Sequence, residues 1–232
     1  MSNPKILLLL AAAVVVPVYA TTIFANNPGA LPGTAQDITG LYPTEIIGSI
    51  PDTTDPFLGV NMFMFDLLDP TNFSAIIVPS SPFDIPDTVL FLFDSTGRGV
   101  YMNDDISGAD TFSCLPSQSA LSNPCPALSP GGVGPLAPGV YYLAISLSMN
   151  YPVSDMGEIF SPVLSTDVVG PDPTQGGADP IVGWDGNAFT STDTDLVNYE
   201  ILLTGTTPEP ATWIMTGAAG VAIMLLRRRV KR

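Results

Sequence analysis

The chain contains no histidine. That removes the side chain that most often serves as a general base or a neutral metal ligand near neutral pH, and with it the Ser–His and Cys–His pairs that activate nucleophiles. Positive charge is almost as scarce, with seven Lys and Arg residues against 22 Asp and Glu. Six of the seven lie near the ends: Lys5 at one, and Arg227, Arg228, Arg229, Lys231 and Arg232 at the other. Residues 21–207 therefore set Arg98 alone against 21 carboxylates, a net charge of −20. Such a body repels nucleic-acid phosphates and anionic lipid, and it attracts divalent cations. There is no Gly-x-Ser-x-Gly elbow and no Gly-rich phosphate loop. Pairs of carboxylates can hydrolyse glycosides, but an Asp-rich chain contains such pairs by composition alone. The expectation is a protein that is not an enzyme.

Cysteine is limited to Cys114 and Cys125, in a Pro/Ser-rich stretch. In an exported chain such a pair is expected to form a disulfide that pins a loop with little core of its own. Long 3.6-residue periodicity is also missing between the two ends. What stands there instead is a series of short runs rich in β-branched and aromatic residues, bounded by Gly, Pro, Asp or Asn: 45–50, 61–67, 73–78, 88–94, 98–102, 139–147 and 197–203. The fold class expected is all-β. The run Asn61–Leu67 is apolar on both faces at its centre, which suits a strand buried between two layers. Asp94-Ser95-Thr96-Gly97-Arg98 is a turn signal, so residues 88–102 should form a hairpin. The 24 prolines and 21 glycines are too few for a collagen or a low-complexity chain and sit where turns are needed. Residues 107–138 and 152–195 read as long loops.

The two ends have their own logic. Lys5, the apolar stretch Ile6–Val18 and the small residues Val18 and Ala20 have the three-part form of a secretory signal peptide, with a cut after Ala20 and a helical leader over residues 1–20. An uncleaved N-terminal anchor is the competing possibility, although the apolar run is shorter than the roughly 20 residues that span a bilayer. At the other end Pro208-Glu209-Pro210 precedes an apolar segment, Ala211–Leu226, and then Arg227-Arg228-Arg229-Val230-Lys231-Arg232. Sixteen residues are slightly short for a bilayer, so this segment would be a weakly anchored transmembrane helix. The cationic end stays cytoplasmic and acts as the membrane stop, which places Pro208-Glu209-Pro210 outside. Two prolines around a glutamate hold an extended backbone that a protease can read. An ordinary C-terminal anchor is the competing possibility here.

This tripartite tail resembles the PEP-CTERM sorting signal, on Pro208-Glu209-Pro210-Ala211-Thr212-Trp213, the glycine-containing apolar span and the arginine cluster. Thr207 is a minor departure, since many members carry Val there. The resemblance implies recognition and cutting near Pro208-Glu209-Pro210 by an exosortase, an integral-membrane enzyme. Export through the Sec machinery would come first. A transient stay in the inner membrane would follow, then release to the cell surface or extracellular matrix, in association with exopolysaccharide.

A second, weaker resemblance covers roughly residues 44–147. Ile47-Gly48-Ser49-Ile50, Phe65-Asp66-Leu67, Asp87–Gly97, Asn103-Asp104-Asp105 and Leu136–Leu143 are similar to the bacterial pre-peptidase C-terminal domain. It implies a non-catalytic, antiparallel jelly-roll-like β-sandwich, some members of which bind calcium or extracellular polymers. The insertion between Asp105 and Leu136 departs from that pattern. Calcium is also suggested by the residues themselves, since it takes several hard oxygens in irregular geometry. Asp94, Asn103, Asp104 and Asp105 would bracket the hairpin and converge at one end of the sandwich. Turns and solvent equally favour these residue types. Asp185, Gly186 and Asn187 with Asp193 and Asp195 make a second acidic patch without standard ligand spacing. For a carbohydrate ligand, Trp184, Tyr101, Tyr141, Tyr142 and Tyr151 are the available stacking platforms; alternation puts Tyr141 and Tyr142 on opposite faces. The expected layout is a signal peptide (1–20), a linker or edge segment (21–43), the sandwich (44–204) and the sorting signal (205–232).

Overall fold

Runs of β-branched and aromatic residues become strands where they share backbone hydrogen bonds with a neighbour and bury at least one face. In the computed structural model the strands, in chain order, are β1 (Thr21–Phe24), β2 (Gln36–Asp37), β3 (Pro43–Pro51), β4 (Val60–Leu67), β5 (Ser74–Val78), β6 (Thr88–Asp94), β7 (Gly99–Asn103), β8 (Cys114–Leu115), β9 (Gly139–Leu147), β10 (Pro152–Ser154), β11 (Gly157–Glu158), β12 (Val168–Val169), β13 (Gly183–Trp184) and β14 (Leu196–Thr204). The residues described are 20–51, 55, 57–79, 87–119, 125–126, 134–161, 164–186 and 196–208. All seven expected runs are strands, with ends within two residues of expectation. No described residue is α-helical, and no helix among the described residues is long and apolar enough to cross a membrane. The leader through Tyr19 and the tail from Glu209 lie outside the described residues.

The strands form a β-sandwich. A five-stranded sheet has the order β1-β3-β14-β5-β8, and a six-stranded sheet has the order β12-β7-β6-β9-β4-β2. Pairing is antiparallel except at two edges, where β1 runs parallel to β3 and β2 parallel to β4. Alternation decides which side chains meet. Phe63, Phe65, Leu90, Leu92, Tyr101, Leu143 and Ile145 point from the six-stranded sheet toward Ile46, Ile50, Ala75, Ile77, Tyr199, Ile201 and Leu203 of the five-stranded one. A polar link crosses this core: Asn61 on β4 donates from Nδ2 to the Tyr199 hydroxyl (2.7 Å) and to the Ser49 carbonyl (3.0 Å). Tyr199 lies over Gly48, where a Cβ would stand only 2.4 Å from the tyrosine oxygen. Only glycine leaves room for the ring.

The six-stranded sheet is covered on its other face too. Met62, Val89, Phe91, Phe93, Met102 and Ala144 pack beneath Ile159, Phe160, Ile181 and Trp184. The cover includes a small sheet, β11-β10-β13. This corrects the expectation of a loop over 152–195: its described part holds β10–β13 and the buried apolar residues Ile159, Phe160, Val168, Ile181 and Trp184. Asn61–Leu67 is buried between layers, as its two apolar faces predict. Cys114 and Cys125 form the expected disulfide, which ties Cys125 back to edge strand β8 within the 107–138 stretch.

Candidate functional site

The site grows out of the β6–β7 hairpin. Leu90 pairs with Asn103 and Phe91 with Met102, so the residue before β6 and the residues after β7 must come together at the open end. They are Asp87, Asp104 and Asp105. One oxygen from each of the three carboxylates falls within 4.8 Å of the others. Asp104 is the buried member, at 4% exposure, and the other two are half-buried.

Asp104 is held from two sides. The Tyr151 hydroxyl donates to its Oδ2 at 3.1 Å, and the Ser148 hydroxyl lies 3.5 Å from its Oδ1. The Ser148 amide donates to the Asp87 carbonyl (3.0 Å), and the Asp105 amide to the Ser165 carbonyl (2.9 Å). Loops of the covering layer and of the hairpin thus meet at the three carboxylates. Burial, with the nearby charge of Asp105, pushes the Asp104 carboxyl up to about 7 against the opposing bond from Tyr151. Burial likewise raises Asp87, partly offset by the Ser148 hydroxyl. Tyr151 is raised by burial and by Asp104 beside it, so it stays a neutral donor. Near neutral pH Asp104 therefore keeps part of its proton, which a bound divalent cation would displace.

The four residues expected to converge on calcium divide. Asp104 and Asp105 come together, and Asp87 joins them. Asp94 does not, because it closes the turn at the opposite end of the hairpin, a strand length of about 20 Å away. There its Oδ1 accepts from the Thr96 amide (2.8 Å), the Thr96 hydroxyl (2.7 Å) and the Arg98 amide (3.1 Å), which is turn chemistry. Asn103 sits beside the site but is spent on structure. Its Oδ1 accepts from the Cys114 amide (2.8 Å), and its Nδ2 donates to the carbonyls of Asp105 (3.0 Å) and Asp167 (3.2 Å). Asp87 escaped sequence reading because it stands in a Pro-rich stretch ahead of the strand. The hairpin register would have found it, since the residue before β6 must neighbour the residues after β7.

The stacking platforms are also rearranged. Trp184 is 5% exposed, edge-on to Phe91 with centroids 5.4 Å apart, and its Nε1 donates to the Ala30 carbonyl at 2.8 Å. It is a core residue and not a sugar platform. Tyr101 is fully buried, and Tyr141 donates to the Ala137 carbonyl at 2.8 Å while facing the inter-sheet core. Tyr142 is half-buried on the opposite face, as alternation requires. Asp185 accepts from the Tyr151 amide (3.1 Å), while Asn187, Asp193 and Asp195 lie outside the described residues. Pro208 is the last described residue; Glu209, Pro210, Arg227, Arg228 and Arg229 lie beyond it. No protein-family model matches this chain, and no curated protein matches it significantly.

Proposed function

We propose that residues 21–207 are the mature part of an exported, non-enzymatic cell-surface or matrix protein, freed by an exosortase at Pro208-Glu209-Pro210 and working alongside exopolysaccharide. The supporting observation is where the folded unit stops. Ala20–Pro208 is one compact unit. Its first strand begins at Thr21, the residue after the expected leader cut, and its last residue opens the sorting motif. A chain cut at both places keeps all of β1–β14, and it loses every cation except Arg98. The sandwich, with its jelly-roll-like kinship to pre-peptidase C-terminal domains, serves as a carrier of surface and charge. Full-length chain and a Glu209→Gln, Pro210→Ala double variant, expressed in a host with an exosortase, test this. The variant should stay membrane-bound while the parent is released. Equal release would show that cutting does not depend on the motif, and retention of both would favour an ordinary anchor.

A calcium role at Asp87, Asp104 and Asp105 is favoured by the convergence of three carboxylates from two chain segments. They would supply the charged ligands, and water and nearby carbonyls the remainder. Saturating calcium should raise the melting temperature by the equivalent of about 1–3 kcal/mol. Asp105→Asn should shrink that shift. An unchanged melting curve at millimolar calcium would remove the metal from the account.

A further inference from the structure

Both ends of the folded unit leave from one corner, at Pro43. Thr21 pairs with Pro43 at the start of β1, and the Thr44 hydroxyl reaches the Thr21 carbonyl at 3.5 Å. At the other end the Thr206 hydroxyl, fully buried, donates to the Pro43 carbonyl at 2.5 Å. Just before it, Gly205 takes a positive φ of 73° and its carbonyl accepts from both the Leu68 amide (2.8 Å) and the Asp69 amide (2.9 Å). A Cβ on Gly205 would meet the Asp69 carbonyl oxygen at 2.5 Å and the Phe73 Cα at 2.7 Å, so the turn is built tightly against the body. The chain is therefore fastened until Thr206, and Thr207 alone separates that fastening from Pro208.

Two extended residues reach about 7 Å. An enzyme that reads a Pro-Glu-Pro motif in its own cleft must enclose several extended residues on either side of the bond it cuts. With the turn fastened through Thr206, Thr207 is the only slack that the folded unit offers ahead of the motif.

We infer that the Gly205–Thr206 clamp makes the tail cut conditional, so that the processing enzyme acts on chains whose last turn has opened or has not yet closed onto Pro43. This rests on the sorting function proposed above. Cutting then competes with the final step of folding, and the rate reports how often the clamp opens. The clamp consists of one buried side-chain bond and two backbone bonds, enough to suppress the open form by on the order of tenfold or more.

The test follows release of the full-length chain by pulse-chase in a host with an exosortase. Three forms are compared: the parent, Thr206→Val, and a form with about six Gly/Ser residues inserted between Thr207 and Pro208. The insertion should speed cutting roughly tenfold, and Thr206→Val should speed it by a smaller factor of about three to five, with leader removal unchanged in all three. A parallel set carries a site-specific protease sequence in place of Pro208-Glu209-Pro210, with and without the insertion, and is cut on isolated membranes. That arm depends on the clamp and not on the exosortase. Measurable cutting at equal rates with and without the insertion, in either arm, overturns the inference. If no form is cut by the host enzyme while the protease arm shows the tenfold gap, the clamp stands and the sorting function falls.

Discussion

The two sheets of the sandwich are treated differently by the rest of the chain. The six-stranded sheet is enclosed: on β6 every residue from Thr88 to Phe93 is buried, with Leu90 and Leu92 facing the inter-sheet core and Phe91 and Phe93 facing the covering layer. The five-stranded sheet keeps one face in solvent. Along β14, Tyr199, Ile201 and Leu203 are buried while Asn198, Leu202 and Thr204 are exposed. Its outer face carries Phe24, 69% exposed, and Leu202, 40% exposed, beside Glu45 and Glu200. Partial loss of hydration, and then the hydrogen bond and charge of the neighbouring Glu45, raises the Glu200 carboxyl. The lesson is that a third layer converts an alternating strand into a continuous apolar one, and it places the buried carboxylate site at its own margin.

If that contrast is real, the largest loss should come from the enclosed side. Phe91 stacks or packs edge-on with Phe93, Tyr151, Phe160 and Trp184. Phe91→Ala should cost about 3–5 kcal/mol by denaturant unfolding. A cost below about 1 kcal/mol would mean that the covering layer is not packed as described.

Next comes the margin between the layers, through Asp104. Its carboxyl titrates higher in the folded chain, at about 7, than in the unfolded one. The folded state therefore holds the extra proton between the two values. Stability from this group is complete below about pH 4 and is lost as pH rises through 7. In calcium-free buffer, unfolding free energy should fall by on the order of 2–4 kcal/mol from pH 4 to pH 8, and Asp104→Asn should flatten most of that slope. A slope unchanged by the substitution would place the titration elsewhere.

The disulfide belongs to the open sheet's edge, where β8 pairs with β5. Cys125→Ser should cost about 2–3 kcal/mol, read as a lower denaturant midpoint, because the loop it closes is short. Smallest of all is Leu202→Ala on the solvent face, at about 0.5 kcal/mol or less. A loss there matching Phe91→Ala would mean that the outer face is covered in the working protein.

The same contrast explains what could be read from the sequence. Strands that alternate (β14) or run apolar through their centres (β4, β6, β9) announce themselves by period and length. Strands β2, β8 and β10–β13 do not, because two or three residues contain no period. The covering layer was hidden for a related reason. Ile159, Phe160, Ile181 and Trp184 stand singly or in a pair among Pro, Gly and Asp, so nothing local marks them as core. The hairpin was legible, and with it the meeting of Asp104 and Asp105. The turn at Asp94 was legible as well; what the sequence left open was whether Asp94 also served a cation, since one residue type suits both. The tail from Glu209 onward lies outside the described residues, so its reading stays with the sequence: motif, apolar span, cations.

The proposed function makes the folded unit a finished product bounded by two cuts. Intact-mass measurement of the protein recovered from the cell surface or medium of a host with an exosortase tests it most directly. The account predicts a species beginning at Thr21 and ending within Thr207–Pro210, without the apolar span or the arginines. A recovered species that retains Ala211–Arg232 would contradict it.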